Sequence, residues 1–284
     1  MIVHVIGASG RSGAALCRSL QADGIGFVPV VRNAARWAET GLGGMPRLAD
    51  LAGDALGPAL ADATHIVSCA HARHLPAILA AAPPEAAIVA LGSTRKFTRW
   101  PDEHGGGVLA GERALLGSAR PGVILHPTMI YGAAGEDNVQ RLAKLLRRLP
   151  AVPLPGGGRA LVQPIHQSDV TRSLRAALGV TWDGPHAVVI AGPTPLPYAD
   201  FVRAVAAAAG LRRPRILPVP AALLLALSPL TRLPLLPRVR AAEIRRLLED
   251  KAFDIGAMRS RIGVDPIPLD AGLAQTFGKI ECLS

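Results

Sequence analysis

Short apolar runs alternate with helix-length amphipathic stretches along most of the chain. The first run, Ile2-Val-His-Val-Ile6, has the length and β-rich composition of a strand, and it leads directly into Gly7-Ala-Ser-Gly10-Arg-Ser-Gly13. Ala14, Ala15, Leu16 and Leu20 then recur at helical spacing, so the opening reads as strand, glycine turn, helix. Phe27 to Val31, Arg47 to Ala49, His65 to Ala70, Ala87 to Leu91, Val123 to His126 and Ala187 to Ala191 predict further strands, with room for helices between them. This alternation predicts an α/β chain built on a doubly wound parallel sheet.

The second half changes character. Pro150-Ala-Val-Pro-Leu-Pro-Gly-Gly-Gly158 reads as a linker or a crossing between lobes. Beyond it, Ser168-Asp169-Val170 looks like a helix start with Asp169 as a candidate cap, and Val170, Leu174, Ala177 and Leu178 continue on one face. Ala199 to Ala209 and Ala241 to Lys251 are expected to be helices as well. The expected organisation is a Rossmann-type dinucleotide-binding domain over 1–150, its sheet completed by 184–192, and a smaller, mostly helical substrate-binding lobe over 151–284.

In an open parallel sheet, ligands lie beyond the carboxyl ends of the strands. The candidates are therefore Gly7 to Gly13, Arg32, Asp50, Ser68 to His71, Gly92 to Lys96 and Pro127 to Gly132. Gly7 permits a tight turn off the strand, Gly10 leaves room for a pyrophosphate, and Gly13 lets the helix pack on the sheet. Ser9, Arg11 and Ser12 fill the rest of a turn that feeds a helix N-terminus, where free N–H groups and the helix dipole favour phosphate. The second strand is followed by Arg32 and Asn33, where an acid would bind ribose hydroxyls. A guanidinium pairs with a 2′-phosphate through two parallel charge-assisted bonds, and Arg11 adds positive charge nearby, so NADP is expected ahead of NAD. Asp23 is not the missing acid, because it precedes that strand.

Composition narrows the classes. With 50% hydrophobic and 18% charged residues the chain is globular, and a formal net charge of +10 favours anionic ligands. No Lys/Arg block with interleaved aromatics points to nucleic acid. Cys17, Cys69 and Cys282 form no CxxC pair, which fits a reducing cytoplasm and suggests neither a disulfide framework nor a zinc site. The start lacks a charged leader and a cleavage site, so no secretory signal is expected. Ala221 to Pro237 is interrupted by Pro229, Arg232, Pro234 and Pro237 and is not expected to span a bilayer. The basic stretch Arg232 to Arg246, beside Leu223 to Leu227, reads as helix packing in the small lobe, with peripheral contact to an anionic membrane as the alternative. His71 and His74 flank Arg73 without a carboxylate, which argues against a metal site. His166 and Asp169 read as loop-orienting and helix-capping groups.

Nearly the whole chain resembles the extended and atypical branches of the short-chain dehydrogenase/reductase superfamily, specifically the NAD-dependent epimerase/dehydratase family that includes nucleotide-sugar epimerases. The likeness rests on the three spaced glycines, Asp50-Leu51, Ser68-Cys69-Ala70, Gly92-Ser-Thr94, His126-Pro-Thr-Met-Ile-Tyr-Gly132, Gln163-Pro-Ile-His-Gln-Ser-Asp169 and Glu249-Asp-Lys-Ala-Phe-Asp254. The resemblance implies that Asp50 and Leu51 lie near the adenine and that Ala70, with Ser68 and Cys69, lies near the cofactor ribose. It places Ser93 or Thr94 beside the nicotinamide and Pro127 with Thr128 against its other side. It also implies a small or nucleotide-linked substrate, and a homodimer is a reasonable expectation.

One departure matters more than these matches. Family enzymes carry Tyr-x-x-x-Lys between the fifth and sixth strands, where the tyrosine transfers a proton and the lysine lowers its pKa. Between Arg95 and Val123 this chain has no tyrosine, and its only lysine is Lys96. Counting back from Glu112 puts the expected pair at His104 and Val108. Three routes stay open. Ser93 or Thr94 would orient a carbonyl with Lys96 or His104 as donor or stabiliser; the chain would bind NADP(H) without chemistry as a sensor or scaffold; or solvent would deliver the proton.

Overall fold

Six strands fall where the hydrophobic runs place them: β1 (Val3–Ile6), β2 (Phe27–Val31), β3 (Arg47–Leu48), β4 (His65–Ser68), β5 (Ala87–Leu91) and β6 (Gly122–Pro127). With an edge strand, Pro185–Ile190, they form a seven-stranded sheet in the computed structural model, which describes residues 1–132, 138–149, 151–227 and 241–278. From that edge strand the order runs β6, β5, β4, β1, β2, β3, and every pairing is parallel. The chain reverses direction across the sheet between β1 and β4, which opens a crevice at their carboxyl ends. This is a Rossmann-type α/β fold.

Helices cover both faces, which is why the central strands read as continuous apolar runs rather than alternating ones. On one face, Leu16 and Leu20 of α1 (Arg11–Ala22) pack with Val5, Val67 and Val89. On the other, Ile6, Ile66, Ile88 and Ile124 meet Leu60 of α3 (Leu56–Leu60), Leu75 and Ile78 of α4 (Leu75–Ala81) and Val108 and Leu115 of α5 (Glu103–Gly117). Asp102 starts α5 by accepting from Gly105 N–H at 2.8 Å, satisfying one of the free amides of its first turn.

Several elements differ from the sequence reading. Ala151–Pro155 is a strand, paired in parallel with Arg215–Val219, rather than a linker. Val152 and Leu154 are buried while Pro153 between them is exposed, so a period of two is hidden inside the proline-rich string. The helix Gln167–Leu178 packs against α1 on the sheet. Its cap is His166, whose Nδ1 accepts from Ser168 N–H at 3.3 Å, and not Asp169. Asp169 is fully buried one turn in, where its Oδ2 accepts from Ile267 N–H at 3.0 Å and orients that loop. The helix from Ala241 stops at Arg246, because Glu249 and Asp250 are drawn off to Arg99 and Leu161. Cys282, the stretch from Pro229 to Pro237 and the part of the basic segment from Arg232 to Arg240 lie outside the described residues. No helix among the described residues is long and apolar enough to cross a membrane.

Candidate functional site

A groove of about 540 Å³ runs along the carboxyl ends of β1 to β4, a size suited to a small-molecule ligand. Gly7, Ser9 and Gly10 form its floor; Arg32, Asn33, Asp50, Leu51, Cys69 and Ala70 line it, together with Arg36 and His74. The glycine turn is tight. Gly7 has φ +75 and donates to Val30 O at 3.0 Å, and its own carbonyl accepts from Gly10 N–H at 2.9 Å. A Cβ on Gly7 would stand 3.2 Å from the Ala70 amide nitrogen, and one on Gly13 would run into the Gly7 carbonyl oxygen. Gly13 does not line the groove; its missing Cβ allows the first turn of α1 to approach the loop.

At one end the groove is basic. Asn33 caps the short helix α2 (Ala34–Ala38), accepting from Arg36 N–H at 3.2 Å, and both Arg32 and Arg36 line the groove beyond it. Sequence reasoning had missed Arg36; the available signal was Asn33 directly after a strand, an N-cap residue that puts Arg36 in the first turn of a helix at the strand's carboxyl end. Asp50 supplies the opposing carboxylate and turns one oxygen onto Ala52 N–H at 3.1 Å. Burial and the charge of Arg73 hold the His74 imidazole below its ordinary titration range.

Not every expected contact faces the groove. Arg11 is exposed outside it, and Ser12 donates its hydroxyl to Gln167 Oε1 at 3.2 Å. Ser68 is buried within β4. Cys69 reaches the groove, but burial pushes its thiol up to about 12, so it supplies no thiolate at neutral pH.

Beyond β5 and β6 the structure assembles a second constellation. Ser93 Oγ accepts from Arg95 N–H at 3.1 Å, and Thr94 Oγ1 donates to the Pro127 carbonyl at 3.2 Å. Thr128 donates to the Gln163 carbonyl at 2.5 Å, so Pro127 and Thr128 are anchored through main-chain groups. Ser93 N–H also donates to His126 Nδ1 at 3.2 Å, which leaves the proton of neutral His126 on Nε2. That nitrogen lies 2.6 Å from Glu112 Oε2, which also receives the Lys96 ammonium. Lys96, Glu112 and His126 side chains are only 8%, 15% and 1% exposed, respectively. Burial first, then the Lys96 charge, depresses the His126 pKa to about 4.

This depression has a measurable consequence. In the unfolded chain the imidazole takes a proton near its ordinary 6.5, whereas in the fold it resists until about 4. The stabilisation is fully present above about 6.5 and is lost as the pH falls towards about 4. Urea midpoints are expected to fall between pH 7 and 4.5, and less steeply in His126→Asn; identical slopes would contradict the assignment.

His104 is exposed in the first turn of α5, paired with His71, while Val108 is 2% exposed in the core. Glu249 fastens the loop after β5 to the C-terminal half, accepting from Thr98 Oγ1 at 2.9 Å and Arg99 N–H at 2.5 Å. The contributions of Glu112, His126, His71 and Glu249 to these arrangements are visible only once the sheet is assembled.

No family model matches the chain, and no curated protein matches it by sequence. Solved structures do match it along its length. UDP-glucuronic acid 4-epimerase from Bacillus cereus, in complex with UDP-glucuronic acid and NAD, superposes with a TM-score of 0.74 at 16% identity, covering 100% of both chains. The chain shares its fold. MoeE5 in complex with UDP-glucose and NAD gives 0.75 at 19% identity over 100% of both chains. UDP-glucose 4-epimerase from Thermotoga maritima with UDP-glucose gives 0.75 at 13% identity over 99% of both. The likeness therefore extends over both halves of the chain.

Proposed function

We propose that this chain binds a nicotinamide dinucleotide, NADP(H) ahead of NAD(H), and acts as an oxidoreductase or epimerase-like enzyme on a small or nucleotide-linked substrate. The observation that carries the reading is the glycine turn, packed tightly against the first turn of α1 and lining the groove through Gly7, Ser9 and Gly10. The residues present fit such a group. Gly7 and Gly10 bring no side chain into the groove, and the start of α1 offers amides and a positive dipole end to a diphosphate. Arg32 and Arg36 would hold a 2′-phosphate, Asp50 and Leu51 the adenosine, and Ala70 the path across the crevice to Ser93, Thr94, Pro127 and Thr128. The bound nicotinamide would supply hydride chemistry. Ser93 and Thr94 would orient the substrate carbon there, Lys96 would act through its charge because its ammonium is held by Glu112, and His104 would face the reacting oxygen.

Isothermal titration with the four nicotinamide coenzymes tests the binding, and turnover on carbonyl and sugar-nucleotide panels tests the chemistry. Arg32→Ala is expected to weaken NADPH about 10- to 100-fold more than NADH, since a charge-assisted bond contributes about 1.5–3 kcal/mol. Arg36→Ala should act in the same direction. Equal losses for both coenzymes would remove the NADP assignment.

Burial of Val108 at the expected lysine position and anchoring of Lys96 favour a second reading, a dinucleotide-responsive sensor without turnover. Tight NADPH binding with no reaction across the panels would select it.

A further inference from the structure

Two imidazoles meet beyond the carboxyl ends of β4 and β5. His71 follows β4 and His104 opens α5; Nε2 of the first lies 3.1 Å from Nδ1 of the second, and the rings stand edge to face at 4.3 Å. The backbone fixes the direction of this hydrogen bond. Arg73 N–H donates to His71 Nδ1 over 3.1 Å, so the proton of neutral His71 sits on Nε2. His71 Nε2–H then donates to His104 Nδ1, which leaves the His104 proton on its own Nε2.

A further proton on this pair finds no acceptor between the rings. It would set N–H against N–H either at the contact between them or at the Arg73 amide. The surrounding charges act in the same sense. Arg73 and His74 face His71, opposed by Glu103; Arg95, Arg73 and Arg246 face His104, opposed by Asp102. Partial desolvation comes first for both rings; for His71 the partner imidazole and then Arg73 follow, for His104 Arg95 follows, and together they keep both imidazoles below their ordinary titration range.

The position gives the pair a use. With adenosine at the Arg32 and Arg36 end of the groove, over β2 and β3, as proposed above, a dinucleotide crossing at the switch point would bring its other half over β4 and β5, the strand end that His71 follows. We infer that His71 is a positioning residue that locks His104 as a neutral hydrogen-bond donor at Nε2, offered to the carbonyl oxygen of a ketone or aldehyde substrate. This rests on the function proposed above and sharpens it towards carbonyl reduction. The bound reduced dinucleotide would supply a hydride with its two electrons to the carbonyl carbon, the C=O π pair would move onto oxygen, and His104 Nε2–H would hold that oxyanion. Solvent water gives the oxygen its proton, so the products are the alcohol, hydroxide returned to buffer and the oxidised dinucleotide.

Long-range ¹⁵N–¹H spectra of the full chain labelled at histidine test this without turnover. Both rings are expected to show the Nε2–H tautomer, with His104 titrating below the ordinary imidazole range. His71→Ala should spread His104 over both tautomers and raise its midpoint by about half a pH unit or more. His71→Gln, whose amide N–H reaches the place of Nε2–H, should restore the wild-type signature. On a carbonyl substrate, His71→Ala should lower kcat about tenfold or more with the KM for dinucleotide unchanged. An Nδ1–H tautomer for His104, or a tautomer and midpoint unmoved by His71→Ala, overturns the inference even if coenzyme binds and turns over. Absence of coenzyme binding defeats the proposed function instead, and is read in a separate titration.

Discussion

Glu112→Ala is expected to cost about 3–5 kcal/mol of folding stability and to lower Tm by about 10 °C, because it leaves a buried ammonium without its counter-charge. Lys96 is 8% exposed and His126 1%, and the single Glu112 carboxylate accepts from both. Removing it strands two donors in a space too closed for bulk water. A surface ion pair would contribute far less, about 0–1 kcal/mol, so the size of the loss reports burial. Glu112→Gln should recover little, since an amide cannot balance the charge. Glu112→Gln combined with Lys96→Met should recover a large part, because the charge that needed balancing is gone. Chemical denaturation of the four proteins provides the measurement. A Glu112→Ala variant within about 1 kcal/mol of the parent would mean that Lys96 finds water and that this cluster does not hold the Ser93 loop.

The second large effect concerns the glycine turn. Gly13→Ala is expected to weaken dinucleotide binding at least about 100-fold, equivalent to about 3 kcal/mol, because its methyl would displace the Gly7 carbonyl and with it the groove floor. The obstacle is backbone, which cannot swing aside as a flexible side chain can. A Cβ at Gly57, by contrast, meets nothing within 4 Å, so Gly57→Ala serves as the control and should bind like the parent. Circular dichroism separates loss of the site from loss of the fold. If Gly13→Ala is destabilised, a Gly13→Ser variant with the same clash should show the same loss of affinity in whatever fraction folds. Folded Gly13→Ala with unchanged affinity would defeat the proposal that this turn cradles a diphosphate.

These effects reach the site through different amounts of sequence. Gly7, Gly10 and Gly13 are legible because a strand, a turn and a helix succeed one another within twenty residues, and each constrains the next. Arg32 is legible because it directly follows a strand. The strand at Ala151–Pro155 was hidden because proline normally marks a break, yet its prolines occupy a small two-stranded pairing in which Val152 and Leu154 supply the buried face. Asp169 looked like a cap by its spacing, but the neighbouring His166 reached the first-turn amide and freed the carboxylate to hold Ile267 N–H.

By itself the sequence determined the strand and helix alternation, the parallel sheet and the glycine turn, because hydrophobic period and turn chemistry act over a few residues. The tertiary structure alone decided which distant side chains meet. Glu112 reaches Lys96 across 16 positions, His104 reaches His71 across 33, and Glu249 reaches Thr98 across 151. No local periodicity encodes such pairs, because strand order and the packing of α5 against the sheet set which carboxylate finds which ammonium and which imidazole donates to which.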